Sequence, residues 1–257
     1  MQTPQSFIAP CRVLAPRDIG RWLAAGWRDL CAVPRISLAY GLAVFTASLA
    51  MSALAWMAGG WIMLMVLLTG FVFVAPLLAF ALYSVSRQLH QGRQPSLRNT
   101  LRAVRGPFQN AMVFGLILLV VFLVWARAAS MVHVFFPIDG RQGWAELLAF
   151  LAIGSAVGSV FAGFSFAASA FSLPMLANRE VDVVTAVVSS INAVLRNKLT
   201  ALCWALVLAA LTALGMLTAL LGLVVVVPWL GYASWHAYHD ALDVSAWPVL
   251  PVAERPT

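Results

Sequence analysis

Residues 36–83 read ISLAYGLAVFTASLAMSALAWMAGGWIMLMVLLTGFVFVAPLLAFALY, uninterrupted by Asp, Glu, Lys or Arg. A single helix of that length would extend about 70 Å, more than twice the roughly 30 Å of hydrocarbon in a bilayer. The stretch therefore predicts two membrane spans, about 36–57 and 61–86, with Gly59 and Gly60 breaking the run at a tight turn.

Working outward, the same chemistry recurs. The chain is 62% hydrophobic and 10% charged, with a mean hydropathy of +0.91, so water is not its main solvent. Further uncharged runs place spans at about 108–131, 147–175, 199–215 and 217–238. The last two are separable by a turn at Gly215, although length alone also allows one span plus an interfacial helix. A repeat favours two: Pro76-Leu77-Leu78-Ala79-Phe80-Ala81-Leu82-Tyr83 resembles Pro228-Trp229-Leu230-Gly231-Tyr232-Ala233-Ser234-Trp235.

Three segments between the runs carry apolar residues at helical spacing. They are Ile19, Trp22, Leu23, Gly26, Trp27 and Leu30; Leu97, Leu101, Val104 and Phe108; and Val184, Val187, Val188, Ile191, Val194 and Leu195. Each predicts an amphipathic helix lying on the membrane surface. The fold class is thus all-α, a polytopic bundle of six transmembrane helices arranged as three hairpins, each preceded by a surface helix. Residues 1–16, with Pro4, Pro10 and Pro16, read as a mobile tail, 17–243 as one transmembrane domain, and 244–257 as a C-terminal tail.

In span four, Gly154 with Gly158, and Ser155 with Ser159 and Gly163, form a face that lets another helix approach closely. A face lining a substrate path is the competing reading.

Of the sixteen basic residues, fourteen fall on the N-terminal side of this topology and only Arg127 and Arg141 on the other. The positive-inside rule then places both termini in the cytoplasm and the protein in an inner membrane. The net charge of +7 sits beside the spans, where it orients the chain and attracts anionic lipid. Nucleic-acid motifs are absent. No cleavable leader is expected, and Cys11, Cys31 and Cys203 are too scattered for a Cys-x-x-Cys motif.

Asp18-Ile19-Gly20-Arg21-Trp22, Gly26-Trp27-Arg28-Asp29-Leu30, Ser37-Leu38-Ala39-Tyr40-Gly41, Pro76-Leu77-Leu78 and Trp235-His236-Ala237-Tyr238-His239-Asp240 together resemble the domain of unknown function 2189 family of bacterial integral membrane proteins. The resemblance extends over about residues 12–243. It implies a membrane location and no established activity. A cytochrome c oxidase label attached to some members is at odds with the residues. Four histidines, His90, His133, His236 and His239, are too few and too dispersed for a haem-copper core.

His236, His239 and Asp240 share a helical face, and three such ligands make an open metal site. A wet helix end flanked by Trp235 and Tyr238 is the preferred reading of them, and no metal is assigned. His90 and His133 are expected to lie apart from that group. No Ser or Cys in the spans has a His and carboxylate in sequence reach, and mid-span ionisable groups of the kind that drive pumps are missing. No cofactor and no catalytic residue is assigned. The expected role is a non-enzymatic scaffold, assembly or lipid-interacting component. Its partners would be the bilayer, anionic lipid at the cytoplasmic face, and a membrane protein or a second copy. The alternatives are a passive small-molecule transporter, with helices broken at Pro76, Pro174 and Pro228, and an accessory protein of a respiratory oxidase.

Overall fold

The computed structural model describes residues 7–95, 108–135 and 143–250. These residues form helices and connections, with two isolated β-bridges and no strand among them. The helices are α1 (Asp18–Ala32), α2 (Pro34–Leu78), α3 (Phe80–His90), α4 (Phe108–Phe135), α5 (Trp144–Ser169), α6 (Ser172–Asn178), α7 (Val183–Arg196), α8 (Lys198–Leu217) and α9 (Leu223–Ala241). Among the described residues, four segments are long and apolar enough to cross a membrane: Pro34–Gly60, Gln109–Met131, Leu148–Asn178 and Lys198–Leu217. The second surface segment, with Leu97, Leu101 and Val104, and the loop around Phe136, Pro137 and Gly140 lie outside the described residues.

The long α2 is continuous only in name. Gly59 and Gly60 leave helical geometry, and Gly60 takes φ 60° with ψ −143°, a region accessible to glycine alone. The Tyr40 hydroxyl donates to the Leu78 carbonyl. A straight helix would hold those residues about 57 Å apart, so the backbone has reversed between them.

The second reversal departs from expectation. Gly215 lies within α8, and the turn occupies Thr218–Gly222, where Ala219 and Leu220 both adopt positive φ. A Cβ at Gly215 would meet Leu223 at 2.9 Å, so this glycine admits the returning strand of chain rather than forming the turn. The returning helix, α9, is not among the four long apolar segments. Its second half carries His236, His239 and Asp240, and α1, α2 and α3 bury much of it.

The surface-helix stripes are only partly used as their periodicity suggests. In α1, Ile19, Trp22 and Leu30 are buried, chiefly through packing on α9, while Trp27 remains 46% exposed. In α7 the stripe is divided, with Val187 and Val194 partly buried against the core, and the polar side is buried in protein. Ser189 and Ser190 are fully buried, whereas Val184 and Leu195 are exposed. The cause is hydrogen bonding: Ser189 Oγ accepts from Ala9 N at 2.9 Å, and Ser190 Oγ accepts from Phe171 N and donates to Ala167 O. Each hydroxyl satisfies backbone that would otherwise be buried without a partner.

Those bonds also correct the reading of residues 7–16 as a mobile tail. Ala9 is fully buried, Arg12 N donates to Ala241 O at 2.9 Å, and Leu14 N donates to Asn197 Oδ1 at 2.8 Å. The segment is a strap holding α7 and α9 together. At the other end, Asp243 N donates to Pro10 O, and residues 244–250 fold back so that Leu250 N donates to Asn178 O.

Candidate functional site

The polar side chains converge where the C-terminal ends of α3, α6 and α9 meet beside α1. Two close approaches make the junction possible. A Cβ at Gly26 of α1 would lie 2.6 Å from Ala233 N, and one at Gly231 of α9 would lie 2.7 Å from Leu82 of α3. Leu82 and Gly231 belong to the two copies of the Pro-initiated repeat, so the repeated segments pack directly on one another.

Two carboxylates organise the junction. Asp29 Oδ2 accepts from Ser86 Oγ at 2.9 Å and lies 3.0 Å from His236 Nε2. Asp240 Oδ2 accepts from Trp22 Nε1 at 2.6 Å and from Arg21 Nη2 at 2.7 Å. Each joins α1 to another helix, and the Trp22 ring bonded to Asp240 is buried edge-on against Trp204 of α8 at 5.6 Å.

The imidazoles form a second layer. His90 stacks on His239 with ring centroids 5.1 Å apart and planes within 6°, and lies 5.9 Å from His236. Trp235 and Tyr238 close round His239 at 4.8 and 5.0 Å. Burial, and after it the neighbouring His90, His236 and Arg179, push the His239 imidazole from its ordinary 6.5 down to about 4. His239 is therefore a neutral ring at pH 7.

Two arginines complete the junction. Arg87 is 2% exposed; its Nη1 donates to Ala177 O at 2.8 Å, near the C-terminus of α6. A cation there meets the negative end of the helix dipole, which offsets part of the cost of burial. Burial also lowers its pKa. Arg179 Nη1 donates to Trp247 O at 2.8 Å, and Asn178 Nδ2 donates to the Tyr238 hydroxyl at 3.0 Å.

The residues singled out as a metal face are thus shared among different partners. His236 goes to Asp29, His239 to the aromatic stack, and Asp240 to Arg21 and Trp22. No group of three or more His, Cys, Asp or Glu residues disposed to hold one ion occurs among the described residues. His90, expected to stand apart, joins both other histidines. The wet helix end is a packed junction. Arg87, Asn178 and Asp29 had no local signal, since each acquires its role from a helix distant in sequence.

Long apolar helices surrounding a junction of this kind define an all-helical integral membrane protein. Residues 63–178 match the family model of a predicted integral membrane protein, DUF2189, and the resemblance read from the sequence holds over that segment. Of the motifs that carried the resemblance, Pro76-Leu77-Leu78 falls inside it, and the opening and closing motifs fall outside. No curated protein and no solved structure matches the chain.

Proposed function

We propose that the protein is a non-enzymatic component of a bacterial inner membrane that works by contact: an assembly or scaffold element that docks a partner helix through α5. The observation that carries this reading is the unused small-residue face of that helix. Ser155, Ser159 and Gly163 are exposed, and nothing lies within 4 Å of a Cβ built at Gly154 or Gly163. Only Gly158 approaches a neighbour, with Trp125 Nε1 3.9 Å from the built Cβ. In hydrocarbon such a face gains packing only when another helix closes on it.

The arrangement we propose has six spans in three hairpins with both termini in the cytoplasm. The reversal at Gly59–Gly60 and the return of α9 beside α2 support it. Arg17, Arg21, Arg28 and Arg35, all exposed around α1, would then meet anionic headgroups. Asp29, Asp240, Asn178 and one guanidinium nitrogen of Arg87 are already spent on bonds between helices, which suits a part that holds shape.

The test places a cysteine at Ser159 and oxidises the protein in native membranes. Cross-linking between copies, or to one co-purifying membrane protein identified by mass spectrometry, is expected, and Gly154→Leu should abolish it. A chain that stays monomeric and uncross-linked would defeat the assembly reading.

A further inference from the structure

The two arms of α2, α4 and the α8–α9 turn enclose a cavity of about 510 Å³. It is well within the roughly 300–1,000 Å³ of small-molecule sites. Its walls are almost wholly apolar; Ala47, Ser48 and Ser52 line it from the first arm of α2, Phe71 from the second, and Leu119 and Phe122 from α4. Tyr40, bonded to Leu78, pins the arms together at one end. Unlike the junction, where every helix is tied to its neighbour, the arms diverge here and leave the space partly open at the side.

We propose that this cavity is a binding site for one acyl chain of a membrane lipid, whose headgroup stays outside. Three observations lead to that occupant. The wall segments Pro34–Gly60 and Gln109–Met131 are long and apolar enough to cross a membrane, so the medium at the mouth is hydrocarbon. Water would find hardly any hydrogen-bonding partner inside, and a dry void of this size forfeits the dispersion contacts of its lining. A flexible alkyl chain supplies those contacts and, unlike a rigid helix, enters through a side opening without parting α2 from α4. This inference shares with the assembly reading only the membrane location, because α5's small-residue face contributes nothing to the cavity.

The full chain is reconstituted in nanodiscs of phosphatidylcholine bearing a diazirine on one acyl chain, irradiated, and mapped by peptide mass spectrometry. Adducts should concentrate at the lining residues Ala47, Ser48, Ser52, Leu119 and Phe122, above the level at Leu54, which lies outside the lining, is 66% exposed and reports ordinary surrounding lipid. Ala47→Trp, which fills the space, should lower the adducts on Leu119 and Phe122 several-fold while leaving Leu54 unchanged. Leu118→Ala, which enlarges it, should raise them. Uniform labelling of cavity and outer face, labelling indifferent to both substitutions, or cross-links from the cavity to a second chain would each overturn the assignment. Loss of the Ser159 cross-link alone would sink the assembly reading and leave this one standing.

Discussion

Asp240 shows how one side chain can serve the fold where the sequence suggested a ligand. Its carboxylate satisfies the indole N–H of Trp22, a ring that is 1% exposed. Asp240→Leu leaves that donor buried and unpaired, at a cost of about 1–3 kcal/mol, while Asp240→Asn keeps an acceptor and should cost less. Thermal unfolding in mild detergent should rank wild type above Asn above Leu. Equal melting of the three proteins would mean that the contact contributes nothing. His239 gives a pH dependence of definite sign. Its folded pKa, about 4, lies below its ordinary 6.5, so its contribution is complete above 6.5 and is lost as pH falls toward 4. The groups facing it are His90, His236, Arg179 and Asp240; only the carboxylate favours the imidazolium. Unfolding temperature should therefore decline between pH 6.5 and 4, and His239→Gln should flatten that part of the profile. The loss is on the order of 3 kcal/mol at most, with water at the ring's exposed edge reducing it.

Helices here are positioned by backbone proximity as much as by apolar stripes. A Cβ at Gly41 would run into the Val224 carbonyl, which makes this residue the seat of α9 on α2. Gly41→Leu should force the two helices apart, at more than the 1–3 kcal/mol typical of overpacking because backbone cannot step aside as a side chain does. The expected result is poor recovery of folded protein from the membrane, with Gly20→Leu, where nothing lies within 4 Å, as the tolerated control. Gly20 and Gly41 are indistinguishable as residues in a sequence. The same limit explains α7: its valines recur at helical spacing, yet Ser189 and Ser190 on the other side are buried too, because their hydroxyls bond Ala9 and Phe171. Periodicity identifies a two-sided helix without saying which neighbour each side will meet, or whether that neighbour is lipid or protein.

For the whole molecule, the six-span proposal has a direct topological consequence. Reporter fusions after Gly60, Gly140, Arg196 and Asp243 should read outside, outside, inside and inside. The position after Asp243 is the sensitive one, because an exterior signal there would remove one crossing and with it the paired arrangement of α8 and α9. A second consequence concerns where the protein is strong. The junction of α1, α3, α6 and α9 is densely bonded, whereas most side chains of the membrane segments Pro34–Gly60 and Gln109–Met131 are not buried within the chain. Local opening should begin in the membrane arms once lipid is withdrawn, and the junction should persist.

What the sequence determined by itself is the membrane character, the helical class, the reversal at Gly59–Gly60 and the family resemblance. The first three follow from local quantities, the length of an uncharged run set against bilayer thickness and glycine's access to positive φ, and the resemblance rests on short motifs read along the chain. The tertiary structure alone decided the fates of His90, Arg87, Asp29 and residues 7–16, together with the turn after Gly215 and the divided duties of His236, His239 and Asp240. Each depends on a partner far away in sequence. A buried polar group takes whichever donor or acceptor the packing of distant helices brings within about 3 Å, and no spacing rule along one segment contains that distance.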